Sequence, residues 1–470
     1  MSSHWTTSGP ALHLTLSPGG GRRQALEDEL RRAVRDGRLV AGTRLPASRT
    51  LAADLGLSRG TVVEAFAQLV AEGYLEARHG SGTWVRELPA TGGGDPSPEP
   101  APSARPARFS LHPGVPDLTA FPERRWVAAV RSGLRTTPAA ALGYGDPRGS
   151  TELRQELAWY LARARGVVCD PELVVVCSGF RHGLSLVARA LRDRGVRRVA
   201  MEEPCVVPHR AGVRASGLVV VSLPVDARGA RTDLLEGLHV SAAVLTPARQ
   251  FPLGMTLHPE RRAHVAAWAA NGDRLVVEDD YDGELRYDRQ PAGALQALLA
   301  DHVVYGGTAS KTLAPGLRLA WLVVPRDLLE PVLRLRRLED VHVPAPEQAA
   351  FRELLATGAY EQHVRRIRAR YRARRDRLVE MLAERAPWAR PAGISAGLSM
   401  LIELPEGATG QRELVDRARR RSIELFPLSF FYADPTGARP GLVIGYGALP
   451  EHDLEAGFEA LCDVLAGVTA

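Results

Sequence analysis

Lysine is almost absent from this chain. Lys311 is the single lysine among 470 residues, although lysine and arginine together number 60. Arginine stays protonated at any working pH, whereas a desolvated lysine amine can lose its proton and attack a carbonyl carbon. Lys311 is therefore either the accidental remainder of a composition biased toward arginine or a chemically active group.

Long apolar runs and cysteine clusters are also missing. No stretch approaches the roughly 20 uninterrupted apolar residues of a membrane span, and the first thirty residues lack the apolar region of a signal peptide. The four cysteines form no C-x-x-C pair and have no histidine at metal-ligand spacing, which argues against a disulfide framework or a zinc site. We therefore expect a soluble, cytoplasmic protein without a metal, whose cysteines are buried apolar residues.

Charge of one sign is not concentrated in any part of the chain. The formal net charge is +6 and the isoelectric point is about 9.4, which permits a nucleic-acid partner. Arginine is nevertheless spread along the whole chain, so the charge alone is a weak indication. Hydrophobic residues make up 45% of the composition, which is enough for a sizeable core.

Three helices followed by a hairpin are predicted between residues 21 and 86. Apolar residues recur at helical spacing in three segments, the first two of which end near Gly37 and at Gly56. Ser58 is predicted to cap the third helix, and the glycine-rich residues 78–82 join two short apolar segments. This order is typical of a winged helix-turn-helix whose third helix enters the major groove of DNA, although a protein-interaction module would show the same pattern.

The motifs in this segment resemble the GntR family of regulators. Residues 44–49, 57–62, 71–75 and 79–83 carry the resemblance, which implies a DNA-binding domain over residues 12–86 with double-stranded DNA as its partner. By resemblance, the residues that contact DNA are Arg44, Arg49, Ser58, Arg59, Thr61, His79 and Gly80.

Residues 87–108 are predicted to form a linker. The segment is rich in proline and glycine and contains no aromatic residue between Glu87 and Arg108, so it cannot bury enough apolar surface to fold. About 20 residues at roughly 3 Å each could span on the order of 60 Å. That reach would allow the first domain to lie on a partner subunit.

Apolar segments rich in valine alternate with helical segments from residue 109 onward. Continuous apolar strands between helices indicate a mainly parallel sheet that is buried on both faces, which is an α/β fold. Ligands of such sheets bind at the carboxyl ends of the strands. Polar motifs at those ends are therefore candidates for ligand binding.

Three motifs that suit a phosphate-bearing aldehyde cofactor follow predicted strands. Residues 177–180 open a helix whose backbone amides could hold a phosphate. Residues 278–281 end a strand with carboxylates that could keep a pyridine nitrogen protonated, although an acidic turn or a magnesium site would show the same pattern. Residues 303–311 end in a small-residue loop that carries Lys311, and Arg318 follows seven residues later.

These motifs together resemble the fold-type I, pyridoxal phosphate-dependent aminotransferases. More narrowly, they are similar to the MocR class of GntR regulators, in which a GntR-type domain is fused to an aminotransferase-like domain; the resemblance rests on residues 144–149, 250–254, 278–282, 310–311 and 317–319. It implies pyridoxal 5′-phosphate as cofactor, a large mainly parallel-sheet domain over residues 109–324 and a small α+β domain over residues 325–470.

The resemblance also implies a role for individual residues. Lys311 would form the Schiff base, Asp279 would pair with the pyridine nitrogen, and Tyr281 would bond the ring oxygen. The remaining cofactor contacts would be Ser178, Gly179, Phe180, Ser310 and Arg318 at the phosphate, Val206 at the ring face where relatives have an aromatic residue, and Tyr144 from the neighbouring subunit. A homodimer is therefore expected, with or without domain swapping.

Val443 stands where true aminotransferases have an arginine that binds the substrate carboxylate in bidentate fashion. This difference favours a pyridoxal phosphate-binding transcriptional regulator over an efficient enzyme, with pyridoxal phosphate itself or an amino compound as the sensed ligand, as in the PdxR branch that controls vitamin B6 synthesis. The alternative is a working aminotransferase with a DNA-binding head, which would need another cation such as Arg249 or Arg210. A regulator that has lost the cofactor is a third hypothesis, which the single Lys311 argues against.

Overall fold

The computed structural model describes residues 21–79, 81–87, 107–287, 293–405 and 410–466. The chain divides into two compact units, Met1–Arg105 and Pro106–Ala470. Most of the predicted linker and the first residues of the predicted DNA-binding domain lie outside the described residues, so the predicted domain bounds stay a prediction. Among the described residues, no helix has both the length and the apolar character needed to cross a bilayer.

The first unit contains the three helices and the hairpin that the sequence predicts. Its elements are α1 (Arg22–Arg35), α2 (Ser48–Leu55), α3 (Arg59–Ala71), β1 (Leu75–Arg78) and β2 (Gly82–Val85). Apolar side chains from all three helices and both strands form one core, in which Leu26, Leu51 and Leu69 are fully buried. Ser58 caps α3 as predicted, because its Oγ accepts the Thr61 N–H at 3.1 Å.

The second unit alternates helices and strands. Its helices are α4 (Glu123–Thr136), α5 (Thr151–Arg165), α6 (Phe180–Asp193), α7 (Val207–Ala215), α8 (Pro259–Ala270), α9 (Arg326–Glu339), α10 (Ala345–Ala356), α11 (Ala359–Arg385), α12 (Gln411–Arg420) and α13 (Leu454–Ala466). Its strands are β3 (Phe109–Ser110), β4 (Val174–Cys177), β5 (Arg198–Glu203), β6 (Val219–Asp226), β7 (Gly229–Ala230), β8 (Ala242–Leu245), β9 (Leu275–Asp280), β10 (Val303–Thr308), β11 (Ala320–Val323), β12 (Arg390–Ala392), β13 (Ser399–Glu403), β14 (Ile423–Glu424), β15 (Phe426–Pro427) and β16 (Gly441–Gly445).

An eight-stranded sheet is the centre of this unit as far as the chain is described. Its strand order is β4-β11-β10-β9-β8-β5-β6-β7. The five strands from β10 to β6 are parallel, while β11 runs antiparallel to both of its neighbours. The carboxyl ends of β4, β5, β9 and β10 therefore meet at one edge of the sheet, where an α/β sheet binds its ligands.

Both faces of this sheet are covered by helices. Along β4, Val175 and Cys177 pack with residues of α6 and α9, whereas Val174 and Val176 pack with residues of α5 and α10. Side chains alternate between the two faces of a strand, so a strand that is buried on both faces must be apolar throughout. This arrangement confirms the predicted α/β class.

A smaller antiparallel sheet with the order β12-β13-β16-β15 packs against α11 and α13. The first strand after the predicted linker, β3, pairs in parallel with β14, with Phe109 opposite Ile423. Residues 109 and 110, just after the predicted linker, therefore pair with the carboxyl-terminal part of the chain. The residues that follow, 112–114, lie near the edge of the large sheet.

Candidate functional site

A cavity of about 460 Å³ opens at the carboxyl edge of the large sheet. This volume lies within the range of roughly 300–1,000 Å³ that is usual for ligand pockets. The residues around it are His112, Pro113, Gly114, Gly179, Phe180, Arg181, Val206, Val207, Pro208, His209, Phe251, Asp279, Tyr281, Thr308, Ser310, Lys311, Pro315, Arg318, Leu398, Phe426, Phe430 and Phe431.

Lys311 lies in this cavity, three residues after the end of β10. Its Nζ donates to the Gly114 carbonyl oxygen at 2.6 Å. Burial lowers the pKa of the Lys311 amine, and the negative charges of Asp279 and Asp282 oppose that effect. An amine with a lowered pKa is more often unprotonated, which is the form that attacks a carbonyl carbon.

Asp279 is the next-to-last residue of β9 and faces the same cavity with a carboxyl group that is only 3% exposed. Its Oδ1 is buried and has no hydrogen-bond partner among the described residues. Burial, followed by the nearby Asp280, raises the pKa of Asp279 well above its ordinary value. A buried carboxyl oxygen without a donor is costly, so this atom is suited to a ligand that brings an N–H group.

His209 lies behind Asp279, and the sequence prediction missed it. Its Nδ1 is 3.5 Å from Asp279 Oδ2, and burial lowers the pKa of His209 to about 3, so the ring is neutral. The ring also packs on Phe180, with 5.3 Å between the two centroids. The sequence offered one indication of this role: His209 follows Val206 by three residues, near the carboxyl end of β5 and in the first turn of α7.

Tyr281 lies beside Asp279 and is held by Arg249. Arg249 Nη1 donates to the Tyr281 hydroxyl at 2.9 Å and to Asp282 Oδ2 at 2.9 Å, while Nη2 donates to the Ser399 carbonyl oxygen. The guanidinium is 3% exposed and does not line the cavity. Arg249 therefore orients the Tyr281 hydroxyl.

The two arginines considered as alternative cations for a substrate carboxylate both have partners within the protein. Arg249 is occupied as described, and Arg210 is also buried, where it donates to the Glu202 carbonyl oxygen at 2.8 Å and pairs with Glu203. Neither lines the cavity. Val443 is fully buried among apolar side chains, including Phe251 and Phe431.

One end of the cavity is suited to an anion. Gly179, the residue before α6, has φ +91°, and a Cβ there would come within 2.9 Å of the Arg318 guanidinium. Arg318 itself has φ +54°, which is strained for a residue with a side chain. Ser310 lines the same end, so the start of α6, a hydroxyl and a guanidinium converge there.

Close packing of α6 against β10 brings these groups together. Gly306 permits it, because a Cβ at Gly306 would overlap the Phe180 ring. The α6 N-terminus therefore approaches the strand that leads to Lys311. Thr308, which the sequence prediction missed, accepts the Ser310 N–H at 3.1 Å and fixes the loop between them.

Two predicted cofactor residues do not line this cavity. The Ser178 hydroxyl donates to Asp340 Oδ2 at 3.0 Å. Tyr144 is 96% exposed and does not line the cavity of its own chain, and its predicted role at the neighbouring subunit stays a prediction. The remaining predicted residues line the cavity: Gly179, Phe180, Val206, Asp279, Tyr281, Ser310, Lys311 and Arg318.

Pyridoxal phosphate fits this set of groups. The unpartnered oxygen of Asp279 suits a protonated pyridine nitrogen, the Tyr281 hydroxyl suits the ring oxygen, and the amine of Lys311 suits the aldehyde. Gly179 and Arg318 form the cradle that suits the phosphate. Among the described residues, no group of three or more histidine, cysteine or acidic side chains is placed to hold a metal ion.

The predicted DNA-binding residues lie on the surface of the first unit. Arg44, Arg49, Ser58, Arg59 and His79 are exposed, and Thr61 is half-buried in the first turn of α3. Gly80 lies outside the described residues. The Arg44 guanidinium also stands over the Trp84 ring of the hairpin, 6.0 Å from its centroid.

Two family models match the chain, one for each unit. The model for bacterial regulatory proteins of the gntR family matches residues 22–85. The model for aminotransferase class I and II matches residues 117–420.

Curated relatives share this order along nearly their whole length. The probable rhizopine catabolism regulatory protein MocR of Rhizobium meliloti is 32% identical over 93% of this chain and 92% of its own length. The HTH-type pyridoxine biosynthesis transcriptional regulator PdxR of Corynebacterium glutamicum is 32% identical over 91% of this chain and 92% of its own length. Among solved structures, an archaeal alanine:glyoxylate aminotransferase has a TM-score of 0.70 at 27% identity, covering 76% of this chain and 90% of its own.

Aminotransferases of this class use pyridoxal 5′-phosphate, and the groups that line the cavity fit this cofactor. With both models matched in this order, the chain belongs to the MocR-type GntR regulators, pyridoxal phosphate-binding and DNA-binding regulators of transcription that carry an aminotransferase class I and II domain.

Proposed function

We propose that this regulator senses pyridoxal phosphate in the cavity and changes its affinity for DNA in response, and that its targets are genes of vitamin B6 synthesis. The likeness to PdxR, which is named for pyridoxine biosynthesis, supports the choice of target. Binding at one site can change affinity at a second only if the two protein states differ in their affinity for the first ligand. The aminotransferase-like unit would be the part that changes state.

Different residues of the cavity would bind different parts of the cofactor. Asp279 would keep the ring nitrogen protonated, and Tyr281 would donate to the ring oxygen. Gly179 would leave room for the phosphate because it has no side chain, and Arg318 would neutralise it. When bound, pyridoxal phosphate supplies an aldehyde that condenses with a primary amine, and Lys311 is the amine placed for it. Val206 would pack on the ring where an aromatic side chain is common in relatives.

The observation that favours a sensor over an enzyme is the engagement of Arg249. The Arg249 guanidinium donates to Tyr281, Asp282 and Ser399 and does not line the cavity, and Val443 is apolar and buried. A substrate carboxylate would therefore lack the bidentate cation that orients it for efficient transamination.

The proposal includes a homodimer. Tyr144 is almost fully exposed, and in this fold a tyrosine at this position reaches the phosphate of the neighbouring subunit. A symmetric dimer also suits a DNA reader, because a two-fold symmetric protein matches two half-sites.

The test is a DNA-binding titration of the full-length protein on its own upstream region. Pyridoxal phosphate and pyridoxine phosphate, which has a hydroxymethyl group in place of the aldehyde, are compared for wild type and Lys311→Ala. We expect pyridoxal phosphate to change the DNA affinity of wild type by about 5- to 150-fold, the usual range of allosteric coupling. Pyridoxine phosphate and the Lys311→Ala variant should show little change.

An equal response to both phosphates would contradict sensing through Lys311. An unchanged DNA affinity, with pyridoxal phosphate demonstrably bound by its absorbance, would show that the cofactor is not the regulatory signal.

A further inference from the structure

Four phenylalanines that contact one another line the cavity. We call Phe251, Phe426, Phe430 and Phe431 the phenylalanine wall. Their rings contact one another edge to face: Phe251 and Phe431 have centroids 5.2 Å apart, as do Phe430 and Phe431, and Phe426 is 5.7 Å from Phe430. The chain of rings continues to Tyr281 next to Phe251 and to His112 next to Phe426.

The groups on this side that could hold an anion are already engaged. Arg249, behind Tyr281, is buried and paired with Asp282. The backbone N–H of Gly114 donates to His112 Nδ1 at 3.1 Å. Burial lowers the pKa of His112, so this imidazole is neutral and supplies no charge.

Two cations of the cavity lie at the start of α6. Arg318 contacts Gly179, and Arg181 is exposed in the first turn of α6. Among the described lining residues, Lys311 is the remaining side chain that can carry a full positive charge at neutral pH. An anionic group placed against the phenylalanine wall would therefore lose its hydration without gaining a counter-charge, which is unfavourable.

One acceptor near the wall favours a cationic head group. The Gly114 carbonyl oxygen accepts from Lys311 Nζ in the structure. When Lys311 serves the cofactor, this half-buried oxygen loses that donor and can accept from another one. An ammonium group of a second ligand can supply it.

We infer that the cavity binds, beside the cofactor, a primary amine with an aromatic or branched apolar body and no carboxylate. This inference rests on the proposed function, because it takes the anion-binding end to be filled by the cofactor. The wall contacts the apolar body, and the Gly114 carbonyl oxygen accepts from the amine. An α-amino acid of the same body would be rejected by the missing counter-charge.

The experiment uses the full-length protein loaded with pyridoxal phosphate. Loading is first established from its absorbance, so a failure to load would contradict the proposed function and not this inference. 2-Phenylethylamine and L-phenylalanine, which differ by one carboxylate, are then titrated, with ethylamine as the amine that lacks the apolar body. Binding is followed by the change in absorbance and by the change in DNA affinity.

We expect 2-phenylethylamine to half-saturate at a concentration about tenfold or more below that of L-phenylalanine, because a buried carboxylate without a partner is penalised. Ethylamine should also be weaker by about tenfold or more, because it leaves the wall uncovered. An equal or stronger effect of L-phenylalanine overturns the exclusion of carboxylates. An equal effect of ethylamine overturns recognition by the wall.

The matched variants are Phe430→Ala and Leu298→Ala. Both side chains are more than half exposed, at 52% and 59%, so neither substitution should unfold the protein. Phe430→Ala should weaken 2-phenylethylamine by about fivefold or more through lost apolar contact, while Leu298→Ala, which does not line the cavity, should leave it unchanged. The same affinity in both variants would contradict the proposed position of the ligand.

Discussion

The two units of this protein carry their functional charges in different settings. In the first unit, which we call the winged unit, Arg44, Arg49 and Arg59 are exposed cations. In the second, aminotransferase-like unit, Asp279 is buried and Lys311 is half-buried in a cavity. An exposed cation acts on DNA through long-range attraction and counterion release, and it needs few neighbours. A buried ionisable group takes its properties from neighbours that come from distant parts of the chain. The four experiments that follow test this difference.

The largest expected effect is the loss of cofactor binding in Asp279→Ala. Removing one partner of a buried charge pair costs about 3–5 kcal/mol, so the affinity for pyridoxal phosphate should fall by about 100-fold or more. The measurement is an absorbance titration with the cofactor. Asp273→Ala, in which the original side chain is highly exposed, is the control, and equal affinities of the two variants would contradict the role of Asp279.

The second effect is the pH dependence of stability caused by buried carboxyl groups. Burial raises the pKa of Glu202 to about 7, while its Oε1 accepts the Thr246 N–H. Between the ordinary pKa of a glutamate and a pH of about 7, the Glu202 carboxyl group keeps its proton in the folded state and loses it in the unfolded state. Stability therefore falls as pH rises through this window, by up to about 3 kcal/mol.

Glu202→Gln should remove this part of the pH dependence, because an amide does not ionise and can still accept the Thr246 N–H. The measurement is the free energy of unfolding in urea from pH 5 to pH 8, with Glu152→Gln as an exposed control. The slope that remains belongs to other buried carboxyls, such as Glu278 and Glu284, whose pKa values are also raised to about 7. An identical pH dependence of the variant and wild type would show that Glu202 titrates normally.

The third effect is the loss of DNA affinity in Arg59→Ala, in the first turn of α3. A base contact would cost about 1–3 kcal/mol and relax specificity, whereas a phosphate contact would reduce the salt dependence by about one unit of slope. DNA titrations at several salt concentrations distinguish the two. Arg214→Ala, an exposed arginine of the other unit, should bind as wild type does; an unaffected Arg59→Ala would remove this residue from the interface.

The smallest effect is local, in the cap of α3. Ser58→Ala should destabilise the first turn by about 1 kcal/mol, because the Thr61 N–H loses its acceptor. Hydrogen exchange of residues 59–63 in the DNA-free protein measures it, and Ser58→Thr, which keeps an acceptor, is the matched control. Equal exchange in the two variants would mean that the cap contributes nothing measurable.

Local patterns were enough to predict most of the winged unit. The turn at Gly56, the cap at Ser58 and the apolar spacing of α3 all depend on neighbours within one or two turns of helix. The same holds for the strand ends that carry Asp279 and Lys311, because a continuous apolar strand followed by a polar loop is itself a local pattern.

The partners of these groups were harder to predict, because no local pattern reports a contact across the fold. Gly114 contacts Lys311 from 197 positions away, and His209, in the first turn of α7, lies next to Asp279. The commitment of Arg249 to Asp282 and Ser399 likewise depends on segments that meet only after folding. Without those partners Arg249 appeared available to a substrate.

The sequence by itself determined the class of each unit, the order of the units and the candidate amine for the cofactor, because helix period, strand runs, turn residues and a single lysine are all visible along the chain. Only the tertiary structure decided which side chains remain available to a ligand. Availability depends on burial and on hydrogen-bond partners, and both are supplied by residues far apart in sequence. The phenylalanine wall is the result: Phe251 and Phe426 are 175 positions apart in the chain, yet they line one cavity with Lys311.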